Sequence, residues 1–520
     1  MPAEHVDRFA IFEAAFHAAG RYENPYLEVD ATAIGEGPHG RWEIPLFYDG
    51  GDVWRLRLAP HAVGRWRFRV RSSDAALNGQ SGEFECIPSD RRGGLGIMEG
   101  YPYHFAYQDG TPVWLFGDTQ WRAFATDPAK RLTRETFCHY VDVRAEQGFN
   151  YVHSDVMGGG GVDSRQPVFF DFAQERINPD FFREVDFRIA YMNDRGITAG
   201  LVLAWHRGPI AWEAFPSDTA RLRYARYMVA RYSAYNVVFI VSGEWDQIRP
   251  ERKPVFQAIG REILRCDPHG RLRSIHPCQR RSVAEFAAEP WMSFGDYQQA
   301  YEAPHHREAL PAERRALYYA LLNSRVHRKP VVNAEYGYYL REMGDDHRYG
   351  PAVGGVDKPH SHTRDSFRRA SWVLAMAGGY FVTGFGTTYF GGWRDRGPFD
   401  VDAAKNDDAE ADLGHLKAFF TNLEWWRLEP AGHLVHAAEP GYAYCLAEPG
   451  SIYVIYSEGT VRVFLDTDEA LSGTDAPTYA IERFDPRQGT CTPLPGRARG
   501  PRLQLVPPDT QDWAFVVRRE

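Results

Sequence analysis

Between residues 100 and 430, short apolar runs recur, each parted from the next by a helical stretch or a long connection. This rhythm constrains the fold more than any other feature of the chain. The runs lie at 112–116, 149–152, 197–203, 236–241, 272–275, 291–294, 330–333 and 380–383. The pattern predicts helices over 133–147, 180–195, 217–234, 251–265, 311–327 and 363–377, with Thr133 and Ser217 as N-caps whose hydroxyls accept from orphan backbone N–H groups. Runs that are apolar throughout suit parallel strands buried on both faces. Eight of them in ~300 residues fit a closed (β/α)8 barrel. The rival is an open doubly wound sheet, but no GxGxxG follows the first run to support a dinucleotide site.

The flanks have another period. Before residue 93, strands are expected at 26–31, 42–48, 53–58 and 65–71, with Asp49-Gly50-Gly51-Asp52 as a turn. Arg65, Arg67, Arg69 and Arg71 alternate with Trp66, Phe68 and Val70, which reads as one solvated and one buried face rather than a nucleic-acid stripe. Arg91 to Gly96 reads as a linker. After residue 432, strands are expected at 442–446, 452–456, 461–465 and 513–517. The expected organisation is a β-sandwich over 1–92, the barrel over 93–432 and a second β-sandwich over 433–520.

Charge and cysteine content exclude several classes. The net charge of −9 leaves no electrostatic footprint for nucleic acid or an anionic membrane. No segment reaches the ~18 consecutive apolar residues of a spanning helix, and Met1-Pro2-Ala3-Glu4-His5 lacks a basic stretch leading into an apolar one, so a cytoplasmic location is expected. The six cysteines, Cys86, Cys138, Cys266, Cys278, Cys445 and Cys491, form no CxxC pair and suit free thiols; nothing supports a Cys445–Cys491 bridge. Flanking sandwiches allow a homo-oligomer without requiring one.

In a barrel the chemistry sits just past the C-terminal ends of the strands. Those ends carry Asp118 and Trp121 (strand one), His153 and Asp155 (two), Trp205 and His206 (three), Glu244 and Asp246 (four), His276 (five), Tyr297 and Gln298 (six), Glu335 and Tyr336 (seven) and Tyr389 (eight). All eight run into polar or aromatic groups, as a sugar-binding mouth requires. Glycoside cleavage needs two carboxyl groups flanking the anomeric carbon, one to protonate the leaving oxygen and one to attack or to activate water. Glu244 and Glu335 close strands four and seven. Either alone could cap a helix or pair with an arginine; the pair at these two positions is more specific. Trp121, Trp205 and Tyr389 are candidate stacking platforms. Asp118, His153, Asp155, His206, His276 and Gln298 are candidate hydroxyl contacts, and Tyr297 or Tyr336 a candidate contact to the nucleophile.

The segments Gly117-Asp118-Thr119-Gln120-Trp121, Ser242-Gly243-Glu244-Trp245, Asn333-Ala334-Glu335-Tyr336-Gly337 and Gly384-Phe385-Gly386-Thr387-Thr388-Tyr389-Phe390-Gly391 resemble those of the apiosidase-like glycoside hydrolases, within the clan-A barrel glycosidases. Phe47 to Gly51 and Gly64 to Trp66 resemble the β-domain that often precedes that barrel, and the C-terminal segment the one that follows it. The resemblance implies a retaining glycosidase without a cofactor, with Glu244 as acid/base and Glu335 as nucleophile, acting on a small carbohydrate or glycoside, a furanoside among them. The chain departs from the family at one place. Apiosidases tend to carry Asp after the strand-four glycines; Glu244 extends the carboxyl by one methylene, ~1.5 Å. Asp246 is the alternative acid/base, its other reading being a cap or a partner of Arg249.

Three rival functions remain open at this level. A non-catalytic carbohydrate-binding barrel keeps the aromatic groups without a converging carboxylate pair. A metal-dependent hydrolase uses His153, Asp155, His206 and His276, although these lack HExxH spacing and no metal is expected. A polysaccharide lyase needs cations at the strand ends, where Lys and Arg are few. Gly158 to Gly161 is followed by no GK[ST] and reads as an active-site loop; the polar stretch 341–362 reads as a pocket wall or a surface loop.

Overall fold

The computed structural model describes residues 4–157, 167–247, 252–278, 281–299, 311–325, 327–336, 364–384, 408–467 and 477–520. Eight parallel strands form a nearly closed barrel. Strand one is Phe116–Thr119, followed by Tyr151–Asp155 (two), Thr198–Val202 (three), Val237–Ile240 (four), Arg273–Ser274 (five), Gly295–Gln299 (six), Val331–Tyr336 (seven) and Tyr380–Thr383 (eight). Strands one to five pair in sequence, and strand one also pairs strand eight, which pairs seven, which pairs six. The five–six seam is bridged by Ser293 N donating to Arg273 O at 2.8 Å and Ser274 Oγ to Phe294 O at 2.9 Å.

Helices alternate with these strands as the apolar period requires. Thr133 caps Arg134–Glu146 with a reciprocal capping box, and Ser217 caps Asp218–Tyr232 by accepting from Ala220 N. Pro179–Asp194, Lys253–Cys266, Pro311–Asn323, Arg364–Met376 and Asp408–Thr421 complete the outer ring. Tyr151 on strand two packs against both neighbouring strands. A Cβ at Gly200 would lie 2.1 Å from its hydroxyl and one at Gly117 2.9 Å from its ring, so both neighbouring strands must present glycine there.

Several sequence expectations shift. Pro112–Val113 is not barrel strand but pairs antiparallel with Phe105–Tyr107, in a small sheet that also takes Leu95–Ile97 from the expected linker. Strand six begins only after the 291–294 run. Tyr26 lies in a short helix, Pro25–Glu28, because Pro25 at its first turn presets the helical φ. The expected 42–48 strand is two, Gly40–Pro45 and Phe47–Tyr48, in different sheets.

The N-terminal region is a sandwich of a five-stranded and a three-stranded sheet around Ile44, Trp54, Leu56, Trp66, Phe68 and Phe84. The arginines of Gly64–Ser72 face solvent on alternate positions. The sandwich is fastened to the barrel by buried Arg231, whose guanidinium reaches Asp186 at 2.7 Å and Asp49 at 3.0 Å. The C-terminal region packs a seven-stranded sheet against a three-stranded one. One sheet face continues the barrel's apolar core: Trp372 stacks on Tyr456 at 5.2 Å, and buried Arg368 binds Asp512 at 2.8 Å. The six cysteines form no disulfide. Among the described residues no helix is long and apolar enough to cross a membrane.

Candidate active site

Strand seven carries the first carboxylate. Gln298 stands opposite Glu335 while the preceding pair is Tyr297 with Asn333, so Ala334 is an extra residue on that strand. Such a bulge re-aims the side chain that follows it. It turns Glu335 inward, where it is buried and its Oε2 receives Gln298 Nε2 at 2.5 Å and lies 3.0 Å from His276 Nε2. The other imidazole nitrogen of His276, Nδ1, lies 3.4 Å from Asp296 Oδ2. Three strands thus contribute a buried line of ionisable groups, Asp296–His276–Glu335. Burial alone would lower the His276 pKa, but the carboxylates of Asp296 and Glu335 reverse this and carry it up to about 10. Burial raises Asp296 to about 6 against the pull of His276.

Strand four carries the second carboxylate. Glu244 follows Gly243 with a φ of +41°, in the left-handed region. The turn is held from both sides: His276 N donates to Ser242 O at 2.9 Å, and Gly243 N to Ala204 O at 3.2 Å. Glu244 is half-buried and receives a hydrogen bond from Gln247. Burial pushes its pKa up to about 7, the charge of Glu335 adds to the rise, and His276 and the nearby Gln298 amide oppose it. The Gln298 amide thus binds Glu335 and lies on the same side of the barrel mouth as Glu244.

Aromatic groups wall this pair. Trp121 meets His153 and Trp205 edge-to-face, each at 5.2 Å between centroids, and His276 at 5.6 Å. Trp205 lies over Gly243, where a Cβ would come within 2.1 Å of the indole, so the glycine before the acidic residue is a steric requirement. His153 is buried with Nδ1 3.0 Å from Tyr151 Oη, and burial holds it neutral, its pKa well below the ordinary value. Its Nε2 and Gln298 Oε1 have no hydrogen-bond partner among the described residues. Buried polar atoms of this kind are normally satisfied, and a sugar hydroxyl can supply the missing bond.

The structure therefore brings Glu244, Glu335, Gln298, His276, His153, Trp121 and Trp205 together. It sends others elsewhere. Asp118 accepts from Thr383 Oγ1 at 3.0 Å, Tyr140 Oη at 2.9 Å and Arg144 Nε at 2.6 Å, all buried. That is the geometry of an anchor joining strand one to its helix, rather than of a group left for a substrate. Asp155 turns back on its own chain, accepting from Met157 N at 3.0 Å. His206 is buried with Nδ1 3.2 Å from Gly243 O, supporting the strand-four turn. Asp246 accepts from Cys278 N at 2.6 Å, tying the strand-four and strand-five ends together. Tyr297, out of phase with Asp296 and Gln298 along the strand, is buried in the apolar cluster that also contains Trp121 and Tyr151. Of Tyr336 only the backbone is described, and Tyr389, Arg249, residues 158–161 and the stretch 341–362 lie outside the described residues. Among the described residues no three His, Cys, Asp or Glu are grouped as metal ligands.

Sequence reasoning passed over Asp296 and Gln247 as working residues. The signal for Asp296 was its place two residues before Gln298 on the same strand, hence on the same face. Gln247 carried none, since its contact depends on the turn at Glu244.

Comparison with known proteins agrees with this geometry. Residues 102–427 match the family described as apiosidase-like, catalytic domain, and residues 5–73 match a domain of unknown function, DUF5060. No curated protein matches the sequence. Among solved structures, a candidate glycoside hydrolase of Bacteroides vulgatus ATCC 8482 aligns with a TM-score of 0.75 at 18% identity, over 99% of this chain and 100% of its own. A family 5 glycoside hydrolase of the same strain aligns with a TM-score of 0.66 at 18% identity, over 82% of this chain and 94% of its own. At these identities the likeness speaks for the fold. The match over residues 102–427 spans the barrel and both carboxylates, and the chain belongs to the apiosidase-like family of glycoside hydrolases.

Proposed function

We propose that this glycosidase is retaining and exo-acting, with Glu335 as nucleophile and Glu244 as acid/base, on a plant- or microbe-derived oligosaccharide or glycoside. The observation that carries the mechanism is the convergence of the two carboxyl groups from strands four and seven: Glu335 is bound by Gln298 and His276, and its charge is among the causes that raise the Glu244 pKa. A retaining pair stands ~5–5.5 Å apart, an inverting pair ~6.5–9.5 Å. The two groups also differ as the roles demand. Glu335 is held by the His276 imidazole and the Gln298 amide, while burial beside Glu335 keeps Glu244 protonated to about pH 7.

In this reading Glu335 attacks the anomeric carbon as Glu244 passes its proton to the leaving oxygen. Glu244, now ionised, then takes a proton from the water that releases the sugar. Trp121 and Trp205 offer apolar ring faces, and neutral His153 offers Nε2 to a hydroxyl. A pentofuranoside is the substrate class that family membership suggests. The exo reading follows the length of the polar stretch after strand seven, residues 341–362.

The test is a screen of nitrophenyl glycosides, furanosides included, on the wild type and Glu335→Gln, with the anomer of the first product followed by NMR. Hydrolysis lost in the variant and retained configuration in the wild type are expected. Unchanged hydrolysis in Glu335→Gln would remove the nucleophile assignment, and an inverted product the mechanism.

A further inference from the structure

The ring of His276 is buried between two carboxylates from neighbouring strands, and only one of them belongs to the pair that flanks the glycosidic bond. Asp296 sits behind the imidazole and Glu335 in front of it, with Nδ1 3.4 Å from Asp296 Oδ2 and Nε2 3.0 Å from Glu335 Oε2. Both Asp296 and His276 are shut off from solvent. A buried carboxylate carries a large desolvation cost unless it is paired. The only cationic partner the described residues offer Asp296 at ion-pair distance is this imidazole.

We propose that Asp296 is a positioning residue that keeps His276 in its doubly protonated form, so that His276 presents a charged N–H to the nucleophile Glu335. The inference rests on Glu335 as nucleophile. The His276 Nε2–H is then a charged donor to Glu335 Oε2, and the charge of Glu335 is among the causes that raise Glu244. Without Asp296, His276 would face one carboxylate rather than two, and burial would favour the neutral ring.

The groups that face His276 come from every side of the barrel. Asp296 lies on strand six, Glu335 on seven and Glu244 past four. His153 on strand two is a neutral ring 5.5 Å away. Trp121 and Trp205 close the wall without charge. Of these groups only Asp296 and Glu335 lie within ion-pair distance of the ring's nitrogens.

The test uses the full chain with 15N-labelled histidine and the variants Asp296→Asn, Asp296→Glu and His276→Gln, the last to identify the His276 signal. In the wild type His276 is expected to stay doubly protonated through pH 9, and in Asp296→Asn to lose a proton near or below neutrality. If it returns to its ordinary 6.5, its charged fraction at pH 8 falls to ~0.03, a ~30-fold loss, while at pH 5.5 it stays ~0.9. The kcat/KM of Asp296→Asn on an activated aryl glycoside, measured in the Glu244→Gln background to remove the acid/base from the profile, should follow that fraction. Asp296→Glu should restore part of both readouts. His276 titrating alike in wild type and Asp296→Asn, or a loss of activity equal at every pH, would overturn the proposal. A shifted His276 in a protein that hydrolyses no glycoside would instead strike the functional reading and leave the ion pair standing.

Discussion

Glu244→Gln tests the acid/base assignment through pH and leaving group together. A general acid works only while protonated. With the Glu244 pKa raised from 4.5 to about 7, its protonated fraction is ~0.9 at pH 6 and ~0.09 at pH 8, so kcat/KM on a poor leaving group should fall about tenfold across that interval. His276 is held up to about 10 and Asp296 near 6. Glu244→Gln removes the proton donor, and for an alkyl glycoside or disaccharide the loss should reach ~10²–10⁴-fold. An aryl glycoside with a good leaving group needs little protonation, so its glycosylation step should lose far less and its descending limb near pH 7 should vanish. The assay is kcat/KM against pH, from pH 5 to 9, on one substrate of each kind for wild type and variant. Equal losses on both substrates, or a limb near 7 that survives in the variant, would refute the assignment and return Asp246 as the candidate.

Three further outcomes follow from the same geometry. A carboxyl whose folded pKa is raised binds more protons folded than unfolded between its two pKa values, so stability falls as pH rises from 4.5 to about 7. Glu244→Gln should therefore raise the melting temperature at pH 8 by a few degrees, the limit being about 3 kcal/mol for a shift of ~2.5 units, with no gain at pH 4. Gly243→Ala would force Trp205 off the strand-four turn; kcat/KM should drop at least about tenfold while thermal unfolding shows a cost within ~1–3 kcal/mol, and a variant with unchanged kinetics would deny Trp205 a place at the site. Arg144→Met leaves the buried carboxylates of Asp118 and Glu410 without their shared cation, and urea unfolding should register a loss of about 3–5 kcal/mol.

The sequence was most legible where the deciding interaction is local. Thr133 and Ser217 cap the predicted helices because a cap needs only its own next few residues. Strands four and eight were found because both faces are buried in apolar surroundings, leaving a continuous apolar run. Strand six was placed too early for the opposite reason. Its inward positions are Asp296 and Gln298, so the residues that make it part of the site also erase its apolar signature, and the 291–294 run that stood in for it packs before the strand begins. Pro112–Val113 misled in the same way, being apolar because it covers the barrel's base in a separate sheet. Among the site residues, strand number placed the two glutamates, whereas Asp118 and Gln298 could be told apart only by their partners. Arg144 comes from a helix 26 residues along the chain, and the bulge at Ala334 leaves no mark in the sequence.

Glu244 concentrates three unfavourable conditions in one residue, and their sources explain why the strand-four end has the form it does. Its positive φ is strained for a side chain with a Cβ, on the order of 1–2 kcal/mol. Its carboxyl is partly desolvated, and it lies beside a second carboxylate. None of these would persist on a free loop, since relaxation of the turn would relieve all of them together. The turn cannot relax because each residue before it is tied to a different strand: Ser242 O to His276 N, Gly243 N to Ala204 O and Gly243 O to His206 Nδ1. Trp205 packed on Gly243 blocks the remaining direction. The same constraints decide what the length of the glutamate side chain does. The left-handed turn fixes where Cβ points, and the extra methylene extends the carboxyl by ~1.5 Å from that fixed origin. Glu244→Asp is therefore expected to keep the strained turn, as Asp tolerates the left-handed region better than most residues, yet to lose the reach. Its defect should appear in kcat on poor leaving groups and leave melting temperature and KM nearly unchanged; a variant equal to wild type on those substrates would show that the backbone, and not side-chain length, sets the position of the acid.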